Sequence, residues 1–357
     1  MSITNFLIAL ILIYGLWALT IRFGLGNLNC WRKFSRPTFF EGEEGELIEV
    51  VRNDRPFIIP WVRIESYISP HLRLGRQDNL HVSGQTHYCS LFTLMPYQQI
   101  RRKHRVRFLH RGIYDLGNAA LTSGDLLGLF RFTRPQDLRT PVTVYPRLLD
   151  TDEIPLPVSR AVGEMVRRHQ LLQDPFLVRG IRPYQPGDPV RDIHWAATAR
   201  TGETQIRVRD YTARTRLLVV LNVQPEELQL SSYISEHDEI PVEEGIRLAA
   251  TVCIQALRAG LSAGFAANMP MGDGNVNTVI LPRDGSAQEE ELLAAFARLT
   301  VSCTDKFPVF LDSLSEQEGM DILILSQYDS NAVQNSIRKL RQKGNQVTFQ
   351  LIKGGDR

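Results

Sequence analysis

The stretch YQPGDPVRDIHWAATAR, residues 184 to 200, packs Asp188, Asp192, Arg191, Arg200, His194 and Trp195 into a short span. A histidine among acids and bases suits general acid–base or nucleophilic chemistry, but such chemistry also needs a nucleophile at the right distance. Thr198 and Thr201 are the hydroxyls on offer near His194, and neither spacing matches a nucleophile–base arrangement. The residue types fit a structural bracket better. Gly187 supplies a turn, Asp188 is a good N-cap and Pro189 suits a first helical position, so a short helix is expected to begin there. On it Arg191, Trp195 and Ala199 are spaced four apart and share a face. Asp188, His194 and Arg200 are expected to form a polar network joining this helix to the next strand, QIRVRDY.

A thiol enzyme, either a cysteine hydrolase or a transglutaminase-like protein, would draw on Cys89 with His104 or His110 and an aspartate such as Asp115. Against it, Cys89 falls in an apolar strand run, where an inert buried thiol is the usual finding. Cys30, Cys89, Cys253 and Cys303 are far apart and form no CxxC pair, so all four read as reduced thiols. The basic run RRKHRVRFLHR offers a lipid-headgroup or nucleic-acid patch. Within it Arg105, Arg107 and His110 alternate with Val106 and Phe108, which is the pattern of a strand with one wet face. The chain has 41 basic and 39 acidic residues, a net charge of +2, so no nucleic-acid partner is expected.

These residues must be positioned by a chain of 357 residues, long enough for about two domains. From Ile3 to Ile21 the sequence carries no charge, and about 20 residues of helix cross a bilayer core, so a retained transmembrane anchor is expected. Arg22, Arg32, Lys33 and Arg36 follow it, which predicts an N-terminus outside and everything after residue 22 in the cytoplasm. Residues 38 to 146 read as short strands separated by turn signals, suiting an antiparallel β-sandwich. Beyond residue 215 the rhythm changes to strand, helix, strand. RLLVVLNV and DILILS read as buried strands. Val242, Ile246, Ala249, Ala250, Cys253, Ile254 and Leu257 mark one helical face. Ser286 with Glu289 reads as a capping box.

The stretch RGIRPYQPGDPVRDIHWAATAR, followed by a strand entering LLVVLNV, closely resembles the signature of the bacterial domain of unknown function 58 family. RGIYDLGNAAL, GDLLGLF and TVYPR extend the resemblance over nearly all of the soluble chain. It implies a transmembrane anchor at 1–24, a β-sandwich-like domain at 35–148, a signature and connecting segment at 149–215, and a von Willebrand factor A-like doubly wound sheet at 216–357. The fold class expected is therefore α/β plus β. The resemblance also implies a non-enzymatic, membrane-anchored adaptor or scaffold in protein complex assembly or maturation, with a MoxR-type AAA+ ATPase as a candidate cytoplasmic partner.

Metal-binding members of the von Willebrand A fold place a carboxylate and two hydroxyls after the first strand, where they meet Mg²⁺. Here those positions are Asn222, Gln224 and Glu226, and after DILILS come Gln327 and Tyr328, with Asp329 displaced. Amides coordinate Mg²⁺ weakly without carboxylate help, so no metal and no cofactor are expected. Asn222, Gln224 and Glu226 are expected instead to form a partner-binding edge.

Overall fold

Alternation of apolar and polar side chains, and its loss in three short runs, explains most of the observed architecture. The computed structural model describes all residues except 1–3, 9–10, 12–13, 16–27, 76–79, 84–86, 125–130, 172, 186–187, 212–215, 228–233, 273, 275 and 353–357. The chain divides after Arg147 into two units, Met1–Arg147 and Leu148–Arg357.

The first unit contains β1 (Leu28–Phe34), β2 (Thr38–Phe40), β3 (Glu44–Asn53), β4 (Ile59–Tyr67), β5 (Leu72–Leu74), β6 (Leu80–Ser83), β7 (His87–Leu94), β8 (Gln99–Phe108), β9 (Gly112–Asp115), β10 (Asn118–Gly124), β11 (Arg131–Asp137) and β12 (Pro141–Tyr145). They form a sheet ordered β1-β3-β8-β5, a second ordered β11-β10-β4-β7-β6, and a small third, β2-β12-β9. Every second residue of β1 points inward, as do Val62, Ile64 and Ser66 of β4. The inward positions make two apolar clusters. One gathers Leu28, Val51, Val62, Ile64, Phe92 and Leu121, and the other Phe34, Phe39, Leu47, Val106, Phe108 and Val144.

Between these clusters, in register terms, the inward slots are polar. Arg32 lies between Cys30 and Phe34, Glu49 between Leu47 and Val51, His104 before Val106, and Tyr88 and Ser90 before Phe92. The Arg32 Nε donates to Glu49 Oε1 at 2.8 Å, and its Nη1 donates to Ser66 Oγ at 2.6 Å. The guanidinium also lies over the Tyr88 ring, 4.9 Å from its centroid. The Tyr88 hydroxyl donates to Glu49 Oε2 at 2.9 Å, accepts from Ser90 Oγ at 2.9 Å and lies 2.9 Å from His104 Nε2. Since Tyr88 has one proton and Glu49 takes it, His104 must donate, which places a proton on Nε2.

The second unit holds α1 (Leu156–Leu171), β13 (Gln173–Pro183), α2 (Trp195–Thr201), β14 (Gln205–Tyr211), β15 (Arg216–Leu221), α3 (Glu236–Arg258), β16 (Ser262–Ala267), β17 (Thr278–Arg283), α4 (Ser286–Arg298), α5 (Phe307–Ser313), β18 (Asp321–Ser326), α6 (Asn331–Gln342) and β19 (Gln346–Leu351). A five-stranded sheet runs β17-β16-β15-β18-β19. It is parallel except for β17, which pairs antiparallel with β16. The run RLLVVL has no polar alternation because both faces are covered. Leu217, Val219 and Leu221 pack with α1, α3 and α4, while Leu218 and Val220 pack with α5 and α6.

The expected fold class needs correction. The Ile3 to Ile21 run lies largely outside the described residues, and among the described residues no helix is long and apolar enough to cross a membrane. Among the described residues, strand structure starts at Leu28, inside a region rich in strands, and β-sheet predominates. Hydropathy measures apolarity only; it does not report whether a continuous helix forms. The stretch assigned to a connecting segment, 149–215, falls within the second unit. Ser286 opens α4, and Gly285 holds the N-cap position without a side-chain bond, so the Ser286–Glu289 capping box is not formed.

Candidate functional site

The signature residues sit on an arm made by β13 and β14, an antiparallel pair that forms its own two-stranded sheet. The chain between the strands makes a 3-10 turn, Val190–Asp192, and then α2. His194, not Asp188, caps α2: its Nδ1 accepts from the Ala197 backbone N–H at 3.1 Å. Asp188 is taken by a different partner. Arg182 on β13 grips it with two bonds of 2.7 and 2.8 Å, and the Gln185 N–H donates to it at 2.8 Å. The Arg182 hydrogen bonds, then the one from Gln185, hold its carboxyl below the usual aspartate range. The His194 N–H donates to the Gln205 carbonyl at 2.7 Å, and the Gln205 N–H donates to Thr198 Oγ1 at 3.0 Å, so α2 is fastened to β14.

Asp188 and His194 are thus held by partners other than those expected from the sequence, and Trp195 stands outside the core. That indole is 66% exposed and belongs to no core cluster. Ile181, Tyr184 and Val190 on the same arm are also exposed, as are Arg191 and Arg200. Sequence reading missed Ile181, Tyr184 and Val190, because an exposed apolar residue and a buried one share the same letter. Gly187 lies outside the described residues.

At the carboxyl end of β15, Asn222 and Gln224 are engaged in neutral polar bonds. Asn222 and Gln224 are both 1% exposed, whereas Glu226 is exposed and apart from them. Asn222 Nδ2 donates to Ser326 Oγ at 2.9 Å, and its Oδ1 accepts from the Gln224 N–H at 2.9 Å and from Asn268 Nδ2 at 3.3 Å. Gln224 Oε1 accepts from the Phe307 N–H and from the Tyr328 hydroxyl, both at 3.1 Å. Burial pushes that phenol up to about 12, so it remains a donor at neutral pH. The two amides thus latch β15, β18 and the start of α5 together and do not face a partner; only Glu226 of the three is placed to do so. Among the described residues no cluster of three or more His, Cys, Asp or Glu could hold a metal ion. Titration of Mg²⁺ or Mn²⁺ into the full chain, followed by calorimetry, is expected to show no sub-millimolar binding. A sub-millimolar isotherm would overturn the amide-latch reading.

A family model described as a protein of unknown function, DUF58, matches residues 180–355, from within β13 past the end of β19. Residues 180–355 belong to the DUF58 family. No curated protein matches it. Among solved structures, the DUF58 protein is similar to the CARDB domain of a Pyrococcus furiosus protein, with 12% identity over 33% of this chain and 90% of that one and a TM-score of 0.22. It is also similar to PapD-like domain 7 of human CEP192, with 12% identity over 34% and 87% and a TM-score of 0.24. A third likeness is to a type I cohesin from Pseudobacteroides cellulosolvens, with 12% identity over 34% and 94% and a TM-score of 0.23. Likenesses at this level carry no argument about function.

The thiol constellation is not assembled in the DUF58 protein. Tyr88 and Ser90 point into the sandwich, so strand alternation turns Cys89 to the opposite face from His104, whose ring bonds Tyr88. His110 meets His71 edge-on at 4.7 Å, and Asp115 accepts from the Gly117 and Thr140 N–H groups at a turn. Burial, first among the causes, pushes the Cys89 thiol up, and raises Cys30 to about 12 and Cys303 to about 11. The basic run forms β8, whose outward Arg105 and Arg107 stand opposite Glu46 and Glu44 of β3, while Lys103 pairs with Glu46 at 2.7 Å.

Proposed function

We propose that this DUF58 protein is a non-enzymatic adaptor that docks a cytoplasmic protein partner through the arm of β13, α2 and β14. The observation carrying this reading is the exposed indole of Trp195 on a short helix that is itself capped and fastened to β14. A large aromatic left in water on a fixed element has little ordering entropy left to lose on docking, and Trp, Tyr and Arg dominate binding hot spots. Exposed Arg191 and Arg200 flank it, which favours a partner with an acidic rim around an apolar socket. A MoxR-type AAA+ ATPase, the partner class implied by the family resemblance, is the first to test.

The experiment is a binding titration of the full chain against the purified ATPase, with Trp195→Ala and Tyr184→Ala as variants. Trp195→Ala is expected to weaken binding by about 30-fold, roughly 2 kcal/mol, while melting within about 0.5 kcal/mol of the parent. Unchanged affinity in both variants would sink the proposed arm, and a melting loss that accounts for the weakened binding would return Trp195 to a structural role.

A further inference from the structure

The first unit ends, on one side, in two adjoining loops that present apolar side chains to solvent. The loop between β3 and β4 carries Phe57, 37% exposed, and Ile58, 45% exposed. The loop between β7 and β8 carries Met95, 54% exposed, and Tyr97, 69% exposed. These loops are not slack. Asn53 is fully buried, and its Nδ2 donates to the Phe57 carbonyl at 2.8 Å and to the Met95 carbonyl at 2.9 Å, so one side chain ties both loops. The Tyr97 N–H donates to the Arg55 carbonyl at 3.1 Å, and the Met95 N–H donates to Gln98 Oε1 at 2.8 Å.

Tyr97 has φ of 56°, in the left-handed region, and is the one non-glycine residue among those described with a positive φ. An aromatic residue held there costs free energy, and such strain persists only where the surrounding structure imposes it. Here the strain holds a phenol ring outward. In these two loops the one acid, Asp54, pairs with Arg52 at 2.6 Å and accepts from Asn29 at 2.7 Å.

Strand β1 starts at this same end. Leu28, the first residue of β1, pairs with Asn53, and the sequence before it contains the uncharged run Ile3 to Ile21. The uncharged run of the sequence therefore ends seven positions before the strand that starts beside the loops bearing these four exposed apolar side chains. Tyrosine with aromatic, aliphatic and thioether neighbours is the side-chain mixture that suits the polar–apolar boundary of a bilayer.

We propose that this Asn53-clamped tip is a lipid-contact surface, with Phe57, Ile58, Met95 and Tyr97 seated in the interfacial zone of a bilayer. The inference is independent of the arm in the second unit. It places β4 and β7 with the Ile59–Leu94 end toward the membrane and the Tyr67–His87 end away from it, about 26 Å further along the strands.

The test uses the full chain in vesicles of phosphatidylcholine with a minority of phosphatidylglycerol, with and without brominated acyl chains. Tyr97→Trp and Phe57→Trp report on the tip, and Tyr67→Trp reports on the opposite end. Emission is measured as the increment over the parent, which removes the native tryptophans. The increments from Tyr97→Trp and Phe57→Trp are expected to shift to the blue and to be quenched by bromolipid, and that from Tyr67→Trp to do neither. Two tip reporters keep the test decisive if one variant folds poorly. Tip increments unquenched, or quenched no more than that of Tyr67→Trp, would overturn the proposal. An unquenched tip increment that shifts on adding the protein partner would assign the surface to protein contact and overturn it equally.

Discussion

Glu49→Ala is expected to remove about 3–5 kcal/mol from the stability of the first unit, because it leaves the Arg32 guanidinium buried with no counter-charge. The side chains of Arg32 and Glu49 are 1% and 0% exposed, so water cannot step in. Tyr88→Phe takes one hydrogen bond from the same carboxylate without stranding a charge, and should cost about 1–2 kcal/mol. The pair also gives the unit an acid limit. Burial by itself would raise the Glu49 carboxyl, but His104 beside it and the Arg32 guanidinium outweigh that and hold it at about 2 against an ordinary 4.5. A carboxyl depressed in the folded state contributes stability above the unfolded value and loses it as pH falls toward the folded one. The parent should therefore weaken between about pH 4.5 and pH 2, and Glu49→Ala should show a flatter profile over that window. Denaturant melts of both proteins across that range decide the matter. Equal stability at neutral pH would mean the network is not what closes the middle of the sandwich.

Gly264→Ala is expected to cost the second unit about 3 kcal/mol or more. The register between β16 and β17 shifts between Ala263 and Phe265, so an extra residue of β17 bulges against Gly264. A methyl group there would lie 2.4 Å from the Ile280 carbonyl oxygen, 2.6 Å from the Pro282 nitrogen and 2.8 Å from the Leu281 carbonyl carbon. All three are backbone atoms and cannot swing away. Gly245→Ala is the informative contrast: its methyl would meet Leu221 Cδ1 at 2.8 Å, the end of a side chain that can change rotamer. Denaturant melts should rank Gly264→Ala well below Gly245→Ala, and the opposite ranking would place the critical close approach at α3.

The sequence makes legible the features that depend on local period. The run Leu217 to Leu221 lacks alternation and is buried on both faces, and the 3.6-residue spacing from Val242 to Leu257 falls on α3. What stayed hidden depends on which distant group competes for a side chain. Asp188 has the chemistry of an N-cap, but Arg182, six residues earlier, takes its carboxylate, and His194 caps instead. Arg32 looks like a surface charge until β1 is seen to point it at Glu49, and a charge in an inward slot of an alternating strand was the signal that could have found it. Trp195 reads as core by its type, and only tertiary structure reveals that nothing covers it. At the sheet edge, Asn222 and Gln224 read as the remains of a cation loop, whereas their bonds to Ser326, Asn268 and Tyr328 show two amides occupied within the fold.

The small third sheet pairs β2 in parallel with β12, so Thr38 to Phe40 find Thr143 to Tyr145 across roughly 100 residues of chain. Phe39, stacked on Phe108 at 4.3 Å in the finished unit, cannot be covered until both later strands exist. At synthesis rates of about 5–20 residues per second, the wait between the two partners is roughly 5–20 s on the ribosome. Over that interval β1 and β3 can already pair as a hairpin, but their inward faces lack a sheet to close against. The nascent first unit is thus an obligate late folder, with its aromatic core open to chaperones or to misassociation until the residues just before Arg147 have emerged.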